Sequence, residues 1–238
     1  KTEAQIEAEN KAFAETKAKA EEGDSKAQGL LAWEYTYGEK KDSALAFEWS
    51  KKAAAQSDSK GEFILGRSFQ SGQGVKQDFK EAVKWYQKAA DQGIAEAQNN
   101  LGVMYRDGLG VEQDFKEAVK WYQKAADQGF ALAQFNLGVM YRNGKGVEQD
   151  FKEAVKWIRK AADKGDARAQ TSLGVWYNNG EGVGQDLKEA VKWFQKAADQ
   201  ESAYAQNNLG VMYEKGQGVG QDFKEAVKWY RKAADQGD

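Results

Sequence analysis

The chain has 238 residues, and its 35 Lys and Arg residues nearly balance its 37 Asp and Glu residues, for a formal net charge of −2. This balance leaves no long-range field that would attract nucleic acid or anionic lipid, so neither is expected as a partner. The absence of Cys and His excludes disulfides, zinc sites built on those residues, Ser-His-Asp triads and Cys-His pairs. We therefore expect no metal, no cofactor and no enzymatic activity.

The N-terminal segment, residues 1–24, is predicted to be a capping helix. Residues 3–22 are rich in Ala, Lys and Glu, with Ile6, Ala12 and Phe13 as apolar anchors, and they are too charged for a signal peptide. No stretch of the chain has the roughly 18 apolar residues of a membrane-spanning helix. Because the chain begins at Lys1, we expect that a preceding segment was removed, by a signal peptidase or during preparation.

Tryptophan recurs every 36 residues, which is the signature of a repeat protein: Trp49, Trp85, Trp121, Trp157, Trp193 and Trp229. We divide residues 25–238 into six units on this period. Their ranges are 25–58, 59–94, 95–130, 131–166, 167–202 and 203–238. The first unit is two residues shorter than the others and has only Gly38 in its turn, so it is interpreted as a degenerate N-terminal unit.

Each unit is predicted to be a hairpin of two helices, A and B, as residues 95–130 illustrate. Helix A places residues spaced by four on one face: Ala97, Leu101 and Tyr105. Gly108 ends helix A, and Asp114 with Glu117 predicts a capping box at the start of helix B. The apolar stripe of helix B consists of Phe115, Ala118, Val119, Tyr122, Ala125 and Ala126.

Two further features concern packing. A tryptophan at the same place in every unit is better explained as a core residue than as a stacking site for a ligand. Glu201 replaces the cap glycine found at Gly93, Gly129 and Gly165, and a non-glycine residue there should cost on the order of 1 kcal/mol. We therefore expect the junction before the last unit to open first in hydrogen exchange.

Comparison of the units with one another shows that helix B hardly changes, whereas helix A varies at four positions. The equivalent residues of the six units at each of these positions form one row, so there are four variable rows. Their spacing of 3, 4 and 3 puts these rows on one helical face. Arg side chains there could grip carboxylates and aromatic side chains could anchor a peptide. The candidate partner-binding residues are Trp33, Phe63, Arg67, Glu96, Asn99, Val103, Arg106, Leu132, Phe135, Val139, Arg142, Arg168, Tyr204 and Asn207.

The units resemble the Sel-one-like repeat, a relative of the tetratricopeptide repeat. The matching positions of the unit 95–130 are Ala97, Leu101, Gly102, Tyr105, Gly108, Gly110, Val111, Asp114, Ala118, Trp121, Tyr122, Lys124, Ala125, Ala126 and Gly129. The resemblance implies an all-α fold, a right-handed α/α superhelix of six two-helix repeats with an N-terminal capping helix. It also implies that the variable rows line a concave groove.

By the same resemblance, the expected function is a non-catalytic scaffold or adaptor that binds a protein or peptide, in a bacterial periplasmic or secreted setting or in the cytoplasm. A ligand-binding or hydrolytic protein acting on cell-wall or β-lactam-like molecules is one alternative. A structural spacer or consensus-like repeat protein is another. We expect a monomer with possible end-to-end contacts, because the chain stops directly after a complete helix B at Asp238.

Overall fold

The computed structural model describes residues 1–236, and within that range it contains thirteen α-helices and no strand. None of these helices is long and apolar enough to cross a membrane. Their bounds are α1 Glu3–Glu21, α2 Ser25–Tyr37, α3 Ser43–Ala55, α4 Ser59–Ser71, α5 Phe79–Asp91, α6 Ala95–Asp107, α7 Phe115–Asp127, α8 Ala131–Asn143, α9 Phe151–Asp163, α10 Ala167–Asn179, α11 Leu187–Ala198, α12 Ala203–Lys215 and α13 Phe223–Ala234.

The helices pack as successive pairs. The chain also divides into two compact units, residues 1–121 and the part that follows from Tyr122. We call these the first and second unit, and the six units of the sequence period are called repeats. We call α2, α4, α6, α8, α10 and α12 the A helices, and α3, α5, α7, α9, α11 and α13 the B helices. In the first unit, α2 and α4 pack on the B helices that follow them, and α2, α4 and α6 pack on the helix before. In the second unit, α8, α10 and α12 pack on the B helices that follow them, while α10 and α12 also pack on those before. The predicted all-α fold of helical hairpins is confirmed.

A buried glutamine links five of the six A helices to the preceding helix, whereas α4 has Glu62 at this position. In the second unit, Gln170 Nε2 donates to the carbonyl of Ala162 at 3.1 Å, and Gln206 Nε2 donates to that of Ala198 at 3.2 Å. In the first unit, Gln98 donates to Ala90 at 3.1 Å. This bond satisfies a buried amide and fixes the register between neighbouring repeats.

The predicted capping boxes are only half correct. Asp150 Oδ1 accepts from the backbone amides of Lys152 and Glu153 at 2.8 and 3.0 Å, as expected. However, the Asp150 N–H donates to the carbonyl of Tyr141, at the end of the preceding A helix, at 3.0 Å. Glu153 therefore has no backbone donor to reach, and its carboxylate pairs with Lys156 at 3.0 Å. The same aspartate-to-tyrosine backbone bond recurs at Asp114, Asp186 and Asp222.

The N-terminal helix α1 packs on α2, as predicted for a capping helix. Gln28 Nε2 donates to the carbonyl of Ala20 at 3.1 Å, the same bond that an A helix makes to a preceding B helix. The predicted anchors need correction, because Ile6 and Ala12 are exposed and Ala20 is the buried residue of this helix. Phe13 packs edge-on against the Tyr35 ring, with 5.8 Å between ring centroids.

Glu62 occupies the position that glutamine has in the other A helices. Its burial leads us to expect a stability that depends on pH. Its side chain is 3% exposed and accepts a hydrogen bond from Gln92 Nε2 at 2.7 Å. A carboxylate cannot donate to the equivalent helix carbonyl, that of Ala54, and burial raises the pKa of Glu62. The folded state therefore holds this proton more tightly than the unfolded chain, so the contribution to stability falls as pH rises above about 4.3.

Glu62→Gln should consequently stabilise the protein by about 1–2 kcal/mol at pH 7, because a neutral amide can donate where the carboxylate cannot. Urea unfolding at pH 4.5 and 7.5 measures this, and we expect the gain to be larger at the higher pH. The exposed substitution Glu48→Gln is the control and should change stability little at either pH. An equal gain from Glu62→Gln at both pH values would contradict the account.

Glu201 adopts the left-handed conformation expected from its position, with φ 65°, and Gly93, Gly129 and Gly165 do the same at φ 90°, 85° and 92°. A side chain is strained there, so Glu201→Gly should stabilise the protein by about 1 kcal/mol. Thermal or urea unfolding measures the gain. Glu201→Ala is the matched control, since it removes the glutamate but keeps a Cβ in the left-handed conformation, and the same increase from both variants would exclude relief of strain as the cause.

Candidate partner-binding surface

In the first unit, an aromatic and cationic cluster forms where α2 and α4 meet. The ring of Trp33 lies 4.5 Å from that of Tyr37 and 6.0 Å from that of Phe63, measured between centroids. The Arg67 guanidinium lies 4.8 Å from the centroid of the Tyr37 ring. Partial burial raises the pKa of Tyr37, so its hydroxyl stays protonated at neutral pH. Such a cluster can hold an apolar or anionic group.

Tyr37 is a member of this cluster that the sequence comparison of variable rows missed. It lies at the end of α2, one position after the last of the four rows, where the other repeats have Ser71, Asp107, Asn143, Asn179 and Lys215. The sequence did contain a signal for this residue, since the position is aromatic only in the first repeat. Tyr37 is exposed enough to contact a partner.

Two of the predicted partner-binding residues do not reach the surface. Phe63 is 2% exposed and packs between Trp33 and the Tyr86 ring, 6.0 Å from each centroid. Asn99 is 1% exposed, and its Nδ2 lies 3.3 Å from Asn100 Oδ1. Their positions were expected to be free of packing requirements, and burial shows that in these two repeats they are core positions. We therefore leave both side chains out of the candidate surface.

The arginines predicted to grip a ligand are mostly paired within the chain. Arg106 makes two hydrogen bonds to Asp107, at 2.7 and 2.8 Å, and this lowers the pKa of that carboxyl. Arg142 pairs with Glu181 at 2.7 Å, and Arg168 pairs with Asp166 at 2.6 Å. Within residues 1–236, Arg67 has no carboxylate partner. A ligand carboxylate would have to displace an internal one at the other three arginines.

In the second unit, the A helices carry the most exposed candidates. Tyr204 on α12 is 56% exposed, and Asn207 lies one turn further along the same helix, also exposed. Phe135 is half-buried, and the Arg168 guanidinium lies 4.7 Å from its ring centroid. The remaining candidates of both units are half-buried: Glu96, Val103, Leu132 and Val139. This surface offers aromatic, amide and aliphatic contacts.

The chemistry of these residues suits binding. Among the residues that the structure describes, no three acidic, histidine or cysteine side chains lie together so that they could hold a metal ion. The carboxylates that sit near helix starts are occupied by amide and lysine hydrogen bonds, as at Asp150 and Glu153. The A helices instead present side chains that differ from repeat to repeat and that a partner could contact.

Two solved structures resemble the chain closely. One is c5321, a protective antigen of uropathogenic Escherichia coli strains with an SLR fold, at 38% identity over 95% of this chain and a TM-score of 0.87. This chain spans 49% of that protein's length. The other is a Sel1 repeat protein from Oxalobacter formigenes, at 33% identity, covering 89% of this chain and 85% of that one, with a TM-score of 0.79.

A more distant structure is the immunity protein Pa5087 of Pseudomonas aeruginosa, at 20% identity, 89% coverage of this chain, 81% of that one and a TM-score of 0.53. At that identity the likeness concerns the fold alone. No curated protein matches the chain. The Sel1 repeat model matches residues 25–58, 59–94, 95–130, 131–166, 167–202 and 203–238, so the chain belongs to the Sel1 repeat family.

Proposed function

We propose that this chain is a non-catalytic scaffold that binds a protein or peptide through the variable side chains of its A helices. Sel1 repeat proteins typically act as protein-interaction scaffolds and are generally non-catalytic. One observation carries the assignment to the A helices: the side chains that differ between repeats are mostly exposed or half-exposed there, whereas the constant ones are buried. Constant positions serve packing, so variation at accessible positions is what a specific contact surface requires.

The second unit supports the proposal with its α12 residues. Tyr204 has a large, largely exposed ring, and aromatic side chains of this kind dominate the binding energy of many interfaces. Asn207, on the same face, can donate to and accept from a peptide backbone. Because more than half of the Tyr204 side chain is exposed, a partner could cover it without rearrangement of the core.

Affinity capture from the source organism with three forms of the chain tests the proposal. The surface variant carries Tyr204→Glu and Asn207→Glu on α12. The control carries Lys188→Gln and Lys224→Gln on the B helices α11 and α13, which changes the net charge by the same amount. We expect the wild type and the control to retain a partner that the surface variant loses by at least tenfold, with all three melting alike.

Loss of the partner from the control and its retention by the surface variant would contradict the proposal and place binding on the B helices. Capture of no protein by the wild type would favour a structural spacer. A catalytic role would instead require turnover of cell-wall or β-lactam-like molecules by the wild type, and the scaffold proposal expects none.

A further inference from the structure

A small polar pocket of about 200 Å³ lies in the first unit, where the end of α2, the start of α3 and the C-terminal half of α4 meet. Two cationic side chains, Lys41 and Arg67, line it together with the hydroxyls of Ser43 and Ser68 and the amide of Gln73. Only Arg67 belongs to the candidate surface.

The pocket is lined by three residues that are polar where most of the other repeats are apolar. Ser43, at the start of α3, corresponds to Phe79, Phe115, Phe151, Leu187 and Phe223. Arg67 corresponds to Val103, Val139, Val175 and Val211. Ser68 corresponds to Glu34 in the first repeat and to the buried core residues Met104, Met140, Trp176 and Met212 in the later ones. The two serines open a space because they replace larger side chains, and all three residues line it with hydrogen-bond donors.

Such replacements are unfavourable for folding alone. Ser68 is buried, and the buried Nε of Arg67 has no hydrogen-bond partner within residues 1–236. A desolvated donor without an acceptor costs free energy, and an internal hydrophobic residue would cost none. The other candidate arginines, Arg106, Arg142 and Arg168, each have a carboxylate partner. Of these four arginines, Arg67 therefore lacks an internal counter-ion among the described residues, and a ligand could supply one.

The local charge also favours an anion. Lys41 has no ion-pair partner within the described part of the chain, and neither has Arg67. The nearest carboxylate in sequence is that of Asp42, whose Oδ1 already accepts from the amides of Ala44 and Leu45 at 3.0 Å each. Guanidinium groups bind phosphate and carboxylate oxygens through two parallel hydrogen bonds.

We propose that this pocket binds an oxyanion, the phosphate or carboxylate group of a small ligand. Arg67 and Lys41 supply the countercharge, and the hydroxyls of Ser43 and Ser68 donate hydrogen bonds. The proposal does not rest on the scaffold function, because a small oxyanion can bind here whether or not the A helices bind a peptide.

Solution NMR of the whole chain tests this with inorganic phosphate and with acetate as probes, at constant ionic strength set by sodium chloride. We expect saturable shifts of the Arg67 Nε–Hε resonance and of the Ser43 and Ser68 amides. Arg67→Val should weaken binding at least tenfold, and it restores the residue that Val103 and Val139 provide, so the fold should tolerate it. Arg231→Ala, at an exposed position on α13 outside the candidate surface, is the control and should leave the affinity unchanged.

If Arg67→Val should fail to fold, Lys41→Gln replaces it as the test, since Gln77 and Gln113 occupy the equivalent positions. We expect severalfold weaker binding from that variant. Tighter binding of phosphate identifies a phosphate-bearing ligand, and tighter binding of acetate identifies a carboxylate. The proposal is overturned if neither probe saturates at on the order of 10 mM, or if a folded Arg67→Val or Lys41→Gln variant keeps the wild-type affinity.

Discussion

Replacing Trp157 by alanine should lower the free energy of unfolding by about 3–5 kcal/mol, the range for a large buried aromatic residue. Trp157 on α9 is 5% exposed. Lys160 Nζ lies 3.9 Å from the centroid of its ring, a cation–π contact that the substitution also removes. Much of the loss comes from the cavity that alanine leaves, because the helices on either side can close it only in part.

Urea unfolding measures this loss. Tyr204→Ala is the matched control, because Tyr204 is also a large aromatic residue but is 56% exposed, so its removal should change stability by no more than about 0.5 kcal/mol. A loss of less than 1 kcal/mol at Trp157, or equal losses at both residues, would mean that the repeated tryptophans are not core residues.

The second large effect is expected at Gly182, the second glycine of a turn. Its φ is 69°, and a Cβ built there would lie 2.7 Å from the carbonyl oxygen of Phe151, at the start of the preceding B helix. Gly182→Ala combines the cost of a left-handed conformation with that of a close backbone contact. Together these should destabilise the protein by about 2–5 kcal/mol.

Gly184, two residues further on, provides the control for Gly182. A Cβ at Gly184 meets no heavy atom within 4 Å, and the equivalent positions carry Glu112 and Glu148. We expect Gly184→Ala to be neutral or slightly stabilising. Equal melting temperatures for the two variants would show that the turn can move away from α9 without cost.

The repeat period was sufficient to predict the helices. The spacing of the tryptophans and of the turn glycines predicted a helical hairpin in every repeat. The structure has α6 at Ala95–Asp107 and α7 at Phe115–Asp127 within the repeat 95–130. The capping boxes were half wrong for a tertiary reason. The amide of Asp150 bonds to the carbonyl of Tyr141, and that partner is nine residues away, beyond any local capping pattern.

The partner-binding surface was harder to predict, because equivalent positions differ in burial between repeats. Phe63 and Asn99 are buried, whereas Phe135 is half-buried and Asn207 is exposed. Sequence variation alone cannot distinguish a changed core residue from a changed surface residue. The oxyanion pocket was missed for a related reason, since Ser43, Arg67 and Ser68 belong to two helices and become one site only when those helices pack.

Photocrosslinking tests the central claim, that the A helices bind a partner, most directly. A photoreactive phenylalanine analogue would replace Tyr204 on α12 in one form of the chain and Lys188 on α11 in another. Both sites are exposed, so the two forms differ in the helix that carries the probe. The scaffold account predicts a specific protein adduct from position 204 and none from position 188. An adduct from position 188 with none from position 204 would contradict it.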